Sequence, residues 1–422
     1  MITYMFFIQK IKCNYKLLLI YLVLYLIYTY LIGKYEGMGD DIDCWKSWAS
    51  FDLEFGLNNA YQSETNYLPL YHYILYIFAK IQGSPEAIAN HIYQLRYFTL
   101  LVEFIAGFFL LKLTYDRYKN LKKSVFYTMF YFLNIFMFYN TVVWGQIDGL
   151  QASLVFISFF FAAKGKISGA ISFFLLALNL KLQTIVFLPV IGLMLLPAII
   201  DRFSWKNLFQ WLWFPVCIQL FILAPFILAG DMDELWTVVI ESVGKYPVIS
   251  IHAFNVWDLL LSGDLRNTSD AWDFFCISYH KWGLLMFFTG SFFALFYLLK
   301  MNYQRIRNIR NVISLEKALI IAGLIPLLFF YFNTQMHERY AHPALIFLAG
   351  YAIISKKTLP YVLLSVAYFI NMETALNQFG LFGFNMRYIC SVLYLSVIVL
   401  LFIELYNIGK KYENPERDNP LL

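Results

Sequence analysis

The chain alternates between long apolar runs and short polar connections. Repeated apolar stretches of roughly 16 to 22 residues read as transmembrane helices. Twelve spans are predicted, at about 17–33, 97–112, 125–140, 149–163, 167–180, 184–200, 208–229, 282–299, 317–332, 343–355, 359–375 and 387–407. The first, "LLLIYLVLYLIYTYLI" from Leu17 to Ile32, follows Lys10, Lys12 and Lys16 as a secretory signal would. The run is long and no small-x-small cleavage site follows it, so it is expected to remain as a helix. The fifth span is about 21 Å long at 1.5 Å per residue, short of a ~30 Å hydrocarbon core. Its outer end is therefore expected in a recess, with Asn179, Lys181 and Gln183 at the turn.

Composition agrees with this pattern. The 422 residues are 60% hydrophobic and 14% charged, with a mean hydropathy of +0.61, which excludes an ordinary soluble globular domain. Alternate connections are short and basic, from "KLTYDRYKNLKK" to the tail "GKKYENPER". Together with the N-terminus they hold 22 of the 32 Lys and Arg. By the positive-inside rule both termini are expected in the cytoplasm, and loops 34–96 and 230–281 outside, in a plasma membrane or endoplasmic reticulum. The expected fold is an all-α polytopic membrane protein of about twelve helices, residues 1–422 forming one integral domain. Its solvent is the bilayer, and nucleic acid is not an expected partner. The five cysteines show no metal-ligand spacing, and a Cys44–Cys276 disulfide has nothing to support it.

Polar chemistry gathers on the outer side. "GDDIDCWKSWASFDLEF" places Asp40, Asp41 and Asp43 at the start of a helix whose Trp45, Trp48 and Phe55 form an apolar stripe. Such a helix is expected to lie on the bilayer surface. Asp40 or Asp41 could cap it. Capping explains one carboxylate and not three, and a carboxylate beside a hydroxyl can act as a general base. "NYLPLYHYILY" follows as an interfacial or re-entrant segment. "NTVVWGQIDGL" brings Trp144, Gln146 and Asp148 to a hairpin, where a belt aromatic and a helix cap would suffice. Lys181 could snorkel, but an outer-facing lysine below the interface is better explained by a bound anion. "ESVGKYPVISIHAFNVWDLL" adds Lys245, His252, Asn255 and Trp257. In "MHERYAHP", Arg339 offers forked donors suited to phosphate and His337 another donor. The alternative is a structural Glu338–Arg339 pair. His337 and His342 are five apart, which is not the zinc-protease spacing.

These motifs, in the order "GDDIDCWKSWA", "PLYHYILY", "WGQIDGL", "KLQ", "YPVISIHAFNVW" and "MHERYAHPAL", resemble the GPI-anchor mannosyltransferase-related branch of the GT-C glycosyltransferases. The resemblance runs from about residue 35 to 350, and the histidine–glutamate–basic motif is also similar to that of dolichol-pathway glucosyltransferases. "YLPLYHY" departs from the family form at Leu68. The resemblance implies an inverting transfer of one sugar, mannose by family weight, from a polyprenyl-phosphate donor to an acceptor hydroxyl on a glycan, lipid or protein. It implies Asp41 as the base, seven residues before Trp48, with Asp43 second. His337 and Arg339 would hold the donor phosphate, with Lys181 as a further contact. Trp144, Gln146, Asp148, Asn255 and Glu338 are additional substrate-site candidates. No cofactor is required, since Arg, His and Lys can neutralise the phosphate, although the aspartates leave room for a divalent metal.

Two other readings compete. A lipid-linked-sugar transporter would also have about twelve spans and buried charges, but here the ionisable residues cluster at outer ends and no inverted repeat is visible. A polysaccharide polymerase or ligase shares the lipid-phosphate donor. The "NTS" at Asn267 is a glycosylation sequon whose use depends on the host.

Overall fold

The computed structural model describes residues 15–37, 39–242, 244–306, 314–383 and 385–413. Lys10, Lys12 and Cys13 lie outside them. The chain is an all-α multi-pass membrane protein. Among the described residues seven helices are long and apolar enough to cross a membrane, or eight if the bent pair Leu121–Phe132 and Ile135–Trp144 forms one span. Four further apolar helices are shorter: Leu19–Ile32, Asp148–Ala163, Ile167–Leu178 and His342–Ser355. Every one of the twelve expected segments is thus helical. Of the twelve expected spans, seven or eight are long and apolar enough to cross a membrane among the described residues, and the expected fifth is one of the shorter helices, as its length implied. The chain divides into two compact units, Met1–Phe160 with Ile171–Thr184 and Leu212–Val243, and Phe161–Ala170 with Ile185–Trp211 and Gly244–Leu422.

In the first unit, α1 (Tyr15–Ile32) packs against α5 (Arg96–Tyr118) and α6 (Leu121–Phe132). Tyr21 and Tyr28 bury their rings there, and their hydroxyls bond Thr128 and the Phe132 carbonyl. A polar group in an apolar interior needs such a partner. The first loop folds into α2 (Asp40–Phe55), α3 (Pro69–Gln82) and α4 (Pro85–His91). Prolines open α3 and α4, where the missing N–H costs nothing. After α6 a π-helical turn, Phe138–Trp144, leads to α7 (Asp148–Ala163) and α8 (Ile167–Leu178).

α2 does not present its tryptophans to a bilayer surface. Trp45 and Trp48 are buried against Tyr67, Tyr71 and His72, while Phe55 is half-exposed beside Phe51. The stripe expected to meet lipid meets α3 instead, since an apolar stripe is satisfied equally by either. Asp52, on the same buried face, explains the polar residue within it. Its carboxylate lies 3.3 Å from His72 Nδ1, and the opposite ring nitrogen of His72 lies 3.0 Å from the Thr65 hydroxyl. Burial raises the Asp52 pKa above the usual carboxylate range, and His72 opposes that shift.

The second unit comprises α9 (Leu188–Arg202), α12 (Val256–Leu260), α13 (Tyr279–Ile306), α14 (Leu315–Phe332), α15 (His342–Ser355), α16 (Leu359–Leu376) and α17 (Met386–Glu413). α11 (Met232–Glu241) and all of α10 (Trp205–Ala229) from Leu212 onward belong to the first unit. α14 and α15 form the buried centre of the second unit, and nearly every residue of α15 is buried. Ile249, Trp257 and Leu265 make a separate small core in the segment between α11 and α13.

Candidate functional site

α2 begins after Gly39, whose φ is +89°, and no side chain caps it. Asp40, Asp41 and Asp43 therefore lie inside the first turn, where negative charge meets the positive helix end, and the expected Asp cap is not formed. The two leading aspartates face different surroundings. Asp43 is exposed and pairs with Lys46 at 2.8 Å. Asp41 is half-buried, and its Oδ2 accepts a 2.8 Å hydrogen bond from Gln146 Nε2. The first and third motifs of the sequence are thereby joined side chain to side chain. Asp40, Asp41 and Asp43 do not gather as metal ligands; among the described residues no group of three His, Cys, Asp or Glu does so.

Gln146 is aimed by the turn before it. Gly145 and Gln146 both donate to the Asn140 carbonyl, closing the π-helical turn, and Gly145 adopts φ +90°. Asp148 then opens α7. Its carboxylate accepts from Lys181 Nζ at 2.5 Å and from Asn140 Nδ2 at 3.4 Å. Lys181, expected to meet a bound phosphate, has a protein anion at its ammonium. That ion pair accounts for a lysine at this depth by itself. Trp144 is buried at the end of the π turn.

Arg96 was not visible as part of this set from the sequence. It is 2% exposed and donates through Nη1 to the carbonyls of Tyr35 (2.8 Å) and Val142 (2.9 Å). Among the described residues its Nε and Nη2 have no hydrogen-bond partner. It sits against two glycines: a Cβ on Gly37 would lie 2.3 Å from Nη2, and one on Gly145 2.6 Å from Nε. The guanidinium thus ties the segment entering α2 to the turn that carries Gln146. An arginine placed directly before an apolar run is the only signal the sequence offers. Deeper in the same helix, Glu103 is fully buried and accepts from Thr141 at 3.0 Å. The expectation that ionisable residues stay at outer ends does not hold for Glu103.

In the second unit, two sequence motifs pair through their backbones. Met336–His337 lies parallel to Ser250–Ile251, with Ser250 opposite Met336 and Ile251 opposite His337. His252 also bridges to His337. Residues 333–341 are accordingly extended and turned, not helical. Glu338 is buried between its neighbours. Its carboxylate accepts from Arg339 Nη1 at 2.8 Å and lies 3.9 Å from His337 Nδ1. The structural Glu338–Arg339 pair is therefore formed. His337 keeps partial exposure, with Tyr246 edge-on at 5.5 Å and Tyr340 at 5.0 Å.

Asn255 is occupied structurally. Its side chain caps α12 in a capping box with Asp258, and its Nδ2 donates to the carbonyls of Phe330 and Asn333. Trp257 Nε1 donates to the Phe332 carbonyl, so both residues finish the end of α14. Burial raises the Asp258 pKa to about 7, against hydrogen bonds from the backbone and the charge of Arg387. His252 is held below its usual pKa by burial and then by Arg266, whose Nη1 is 2.8 Å from His252 Nε2. Lys245 is exposed, 5.8 Å from the ring centre of Tyr246. Among the described residues no disulfide forms.

No protein-family model matches the chain, and no curated protein matches it by sequence.

Proposed function

We propose that this membrane protein is an inverting glycosyltransferase that moves one sugar, mannose by preference, from a polyprenyl-phosphate carrier to an acceptor hydroxyl on the extracytoplasmic or lumenal face. The reading rests on the resemblance of its ordered motifs, and one observation carries it furthest. Asp41 is the half-buried carboxylate of its turn, and a side-chain amide from a second motif holds it in place. A general base needs such positioning. Asp43, paired with Lys46 in the open, is the poorer choice.

In this reading Asp41 takes the proton of the acceptor hydroxyl as its oxygen attacks the anomeric carbon. The bond to the donor phosphate breaks, and inversion follows from a single displacement. His337 and Arg339 stabilise charge on the leaving phosphate, with Glu338 fixing the orientation of Arg339. Lys181 acts through Asp148 unless substrate displaces that pair. Mass spectrometry of products formed by purified protein from a panel of polyprenyl-phosphate sugars tests the reading. A sugar joined to an acceptor, with release of polyprenyl phosphate, is expected; intact donor with every sugar and acceptor offered ends it.

Glu103 favours a second reading, a lipid-linked-sugar transporter, because a fully buried carboxylate inside a spanning helix is typical of translocation paths. Donor movement across proteoliposomes that is lost in Glu103→Gln, without sugar transfer, would support that alternative. A polymerase or ligase would instead give a product longer by many sugars.

A further inference from the structure

The His337–Arg339 segment, to which the transferase reading gives the donor phosphate, is entered through an unusual turn. Thr334 and Gln335 come directly before the strand Met336–His337, and Gln335 adopts φ +63°. A Cβ disfavours that left-handed conformation, and a residue other than glycine keeps it only where its surroundings dictate it. Two other stretches of the second unit supply those surroundings. The Gln335 amide donates to the carbonyls of Val248 (3.1 Å) and Ile249 (3.3 Å). Residues 247–249 are in turn held by residues 268–270. The Ile249 amide donates to the Thr268 carbonyl at 3.0 Å, the Asp270 amide donates to the Pro247 carbonyl at 3.2 Å, and Val248 bridges antiparallel to Ser269.

One side chain links the last of these stretches directly to the turn. Asp270 is 3% exposed, and its Oδ2 accepts from the Thr334 hydroxyl at 2.7 Å and from Gln335 Nε2 at 2.8 Å. Both donors are the residues that lead into the strand, and both meet the same oxygen. The half-exposed ring of His280, at the start of α13, closes the cluster. Its Nδ1 is 3.3 Å from the Thr334 hydroxyl and 3.4 Å from Asp270 Oδ2. Hydrogen bonds to a carboxylate are stronger and more directional than those between neutral groups. A change in the Gln335 backbone would swing the chain after it, and His337 is only two residues on.

We propose that Asp270 is a positioning residue for donor binding. Through Thr334 and Gln335 it fixes the left-handed turn that aims His337 and Arg339 at the donor phosphate. The inference rests on the transferase reading, and Asp270 itself touches no substrate in it. A buried carboxylate gains little stability over an apolar side chain of similar size. What it adds here is direction, because one oxygen gathers two adjacent side chains and so sets the path of the chain between them.

Two measurements on the full chain in detergent test it: amide hydrogen exchange across residues 333–341, and steady-state kinetics with a polyprenyl-phosphate sugar. Asp270→Ala is expected to speed exchange at Gln335 and at Tyr340, whose amide donates to the His337 carbonyl. It should raise the donor KM roughly tenfold or more, the scale of a lost charge-assisted hydrogen bond, with kcat within a few-fold of wild type. Asp270→Asn keeps an oxygen for both donors and should recover most of the loss. Thr334→Val removes one donor at nearly constant shape and should act more weakly in the same direction, so it decides the matter if Asp270→Ala does not fold. A residue that only stabilised the fold would lower Tm and the active fraction, and hence kcat, while leaving KM unchanged. Unchanged exchange in the folded variants overturns the proposal, as does faster exchange with an unchanged donor KM. Wild type that transfers no sugar would end the transferase reading instead, and faster exchange in Asp270→Ala would still leave Asp270 as the anchor of this segment.

Discussion

Gln146 donates its side-chain amide to the carboxylate of Asp41 across 105 positions of sequence, at 2.8 Å. The contact selects one aspartate from a run of three and gives it a defined orientation. Replacement of Asp41 by Asn keeps an oxygen for Gln146 but removes the basic carboxylate. Turnover with a polyprenyl-phosphate sugar is expected to fall by roughly 10²–10⁴-fold with donor binding unchanged. Asp43→Asn should leave turnover within a few-fold of wild type. Steady-state rates beside donor-binding isotherms for both variants decide the matter, and full activity in Asp41→Asn would remove the base from this position.

Arg96 and Gly145 should be sensitive together. Alanine at Gly145 must adopt φ +90° and would place its Cβ 2.6 Å from Arg96 Nε. The backbone conformation alone costs about 1–2 kcal/mol. Arg96→Met removes the donors to the Tyr35 and Val142 carbonyls and should be at least as damaging. Thermal unfolding of the purified variants is the measurement. A Gly145→Ala protein as stable as wild type would show that the turn does not depend on this packing.

The Glu338–Arg339 pair complicates the simplest test of donor binding. Arg339→Ala leaves a buried carboxylate beside His337, so lost activity could report misfolding. Combining Arg339→Ala with Glu338→Gln removes that charge. The double variant is expected to fold and to bind donor more weakly by about 1.5–3 kcal/mol, the cost of a charge-assisted contact. Donor affinity equal to wild type in a folded double variant would assign the pair a structural role only.

Asp258 makes stability depend on pH. Its pKa is near 7 in the folded protein and about 3.8 when solvated, because burial disfavours the carboxylate. Between those values the folded state holds a proton that the unfolded state has lost. Stability is therefore highest below about pH 4 as far as this group is concerned, and falls as pH rises toward 7, by up to roughly 4 kcal/mol. Asp258→Asn should flatten that slope and raise stability above pH 7. Unfolding midpoints from pH 5 to 8 give the comparison, and parallel profiles for the two proteins would contradict it.

Orientation in the membrane can be read with thiol chemistry. Cys276 is exposed in the second large loop, and Gln62→Cys would place a probe in the first. Both should react with an impermeant maleimide on sealed cells or correctly oriented vesicles, while Cys276→Ser should lose the native signal. Labelling only after permeabilisation would reverse the orientation drawn from the basic connections.

Much of this architecture follows from hydrophobic pattern alone, and the failures have physical causes. The helical segments were legible because lipid tolerates only backbone that satisfies its own hydrogen bonds. The burial of Trp45 and Trp48 was not, since an apolar face carries no mark of whether protein or lipid will cover it. Lys181 shows the same limit for charge. Sequence reveals a cation below the interface but not that Asp148, 33 positions earlier, neutralises it. Asn255 sits in a distinctive motif, yet its side chain is consumed by a helix cap and two carbonyls. Arg96 carries no spacing signature at all, because its partners are backbone carbonyls and any sequence supplies those.

The short pairing of Ser250–Ile251 with Met336–His337 acts as a ruler. Asn255 lies five positions after Ser250, and both ends of that interval are pinned, one by the strand register and the other by the carbonyls at the end of α14. Asn371 clamps the middle by accepting from Phe254 N and donating to the His252 carbonyl. One residue added or removed there would slip Ser250–Ile251 by one position against Met336–His337 and turn the side chains of that strand to the opposite faces. Homologous chains should therefore vary freely in loop length on either side of this interval and keep its length constant.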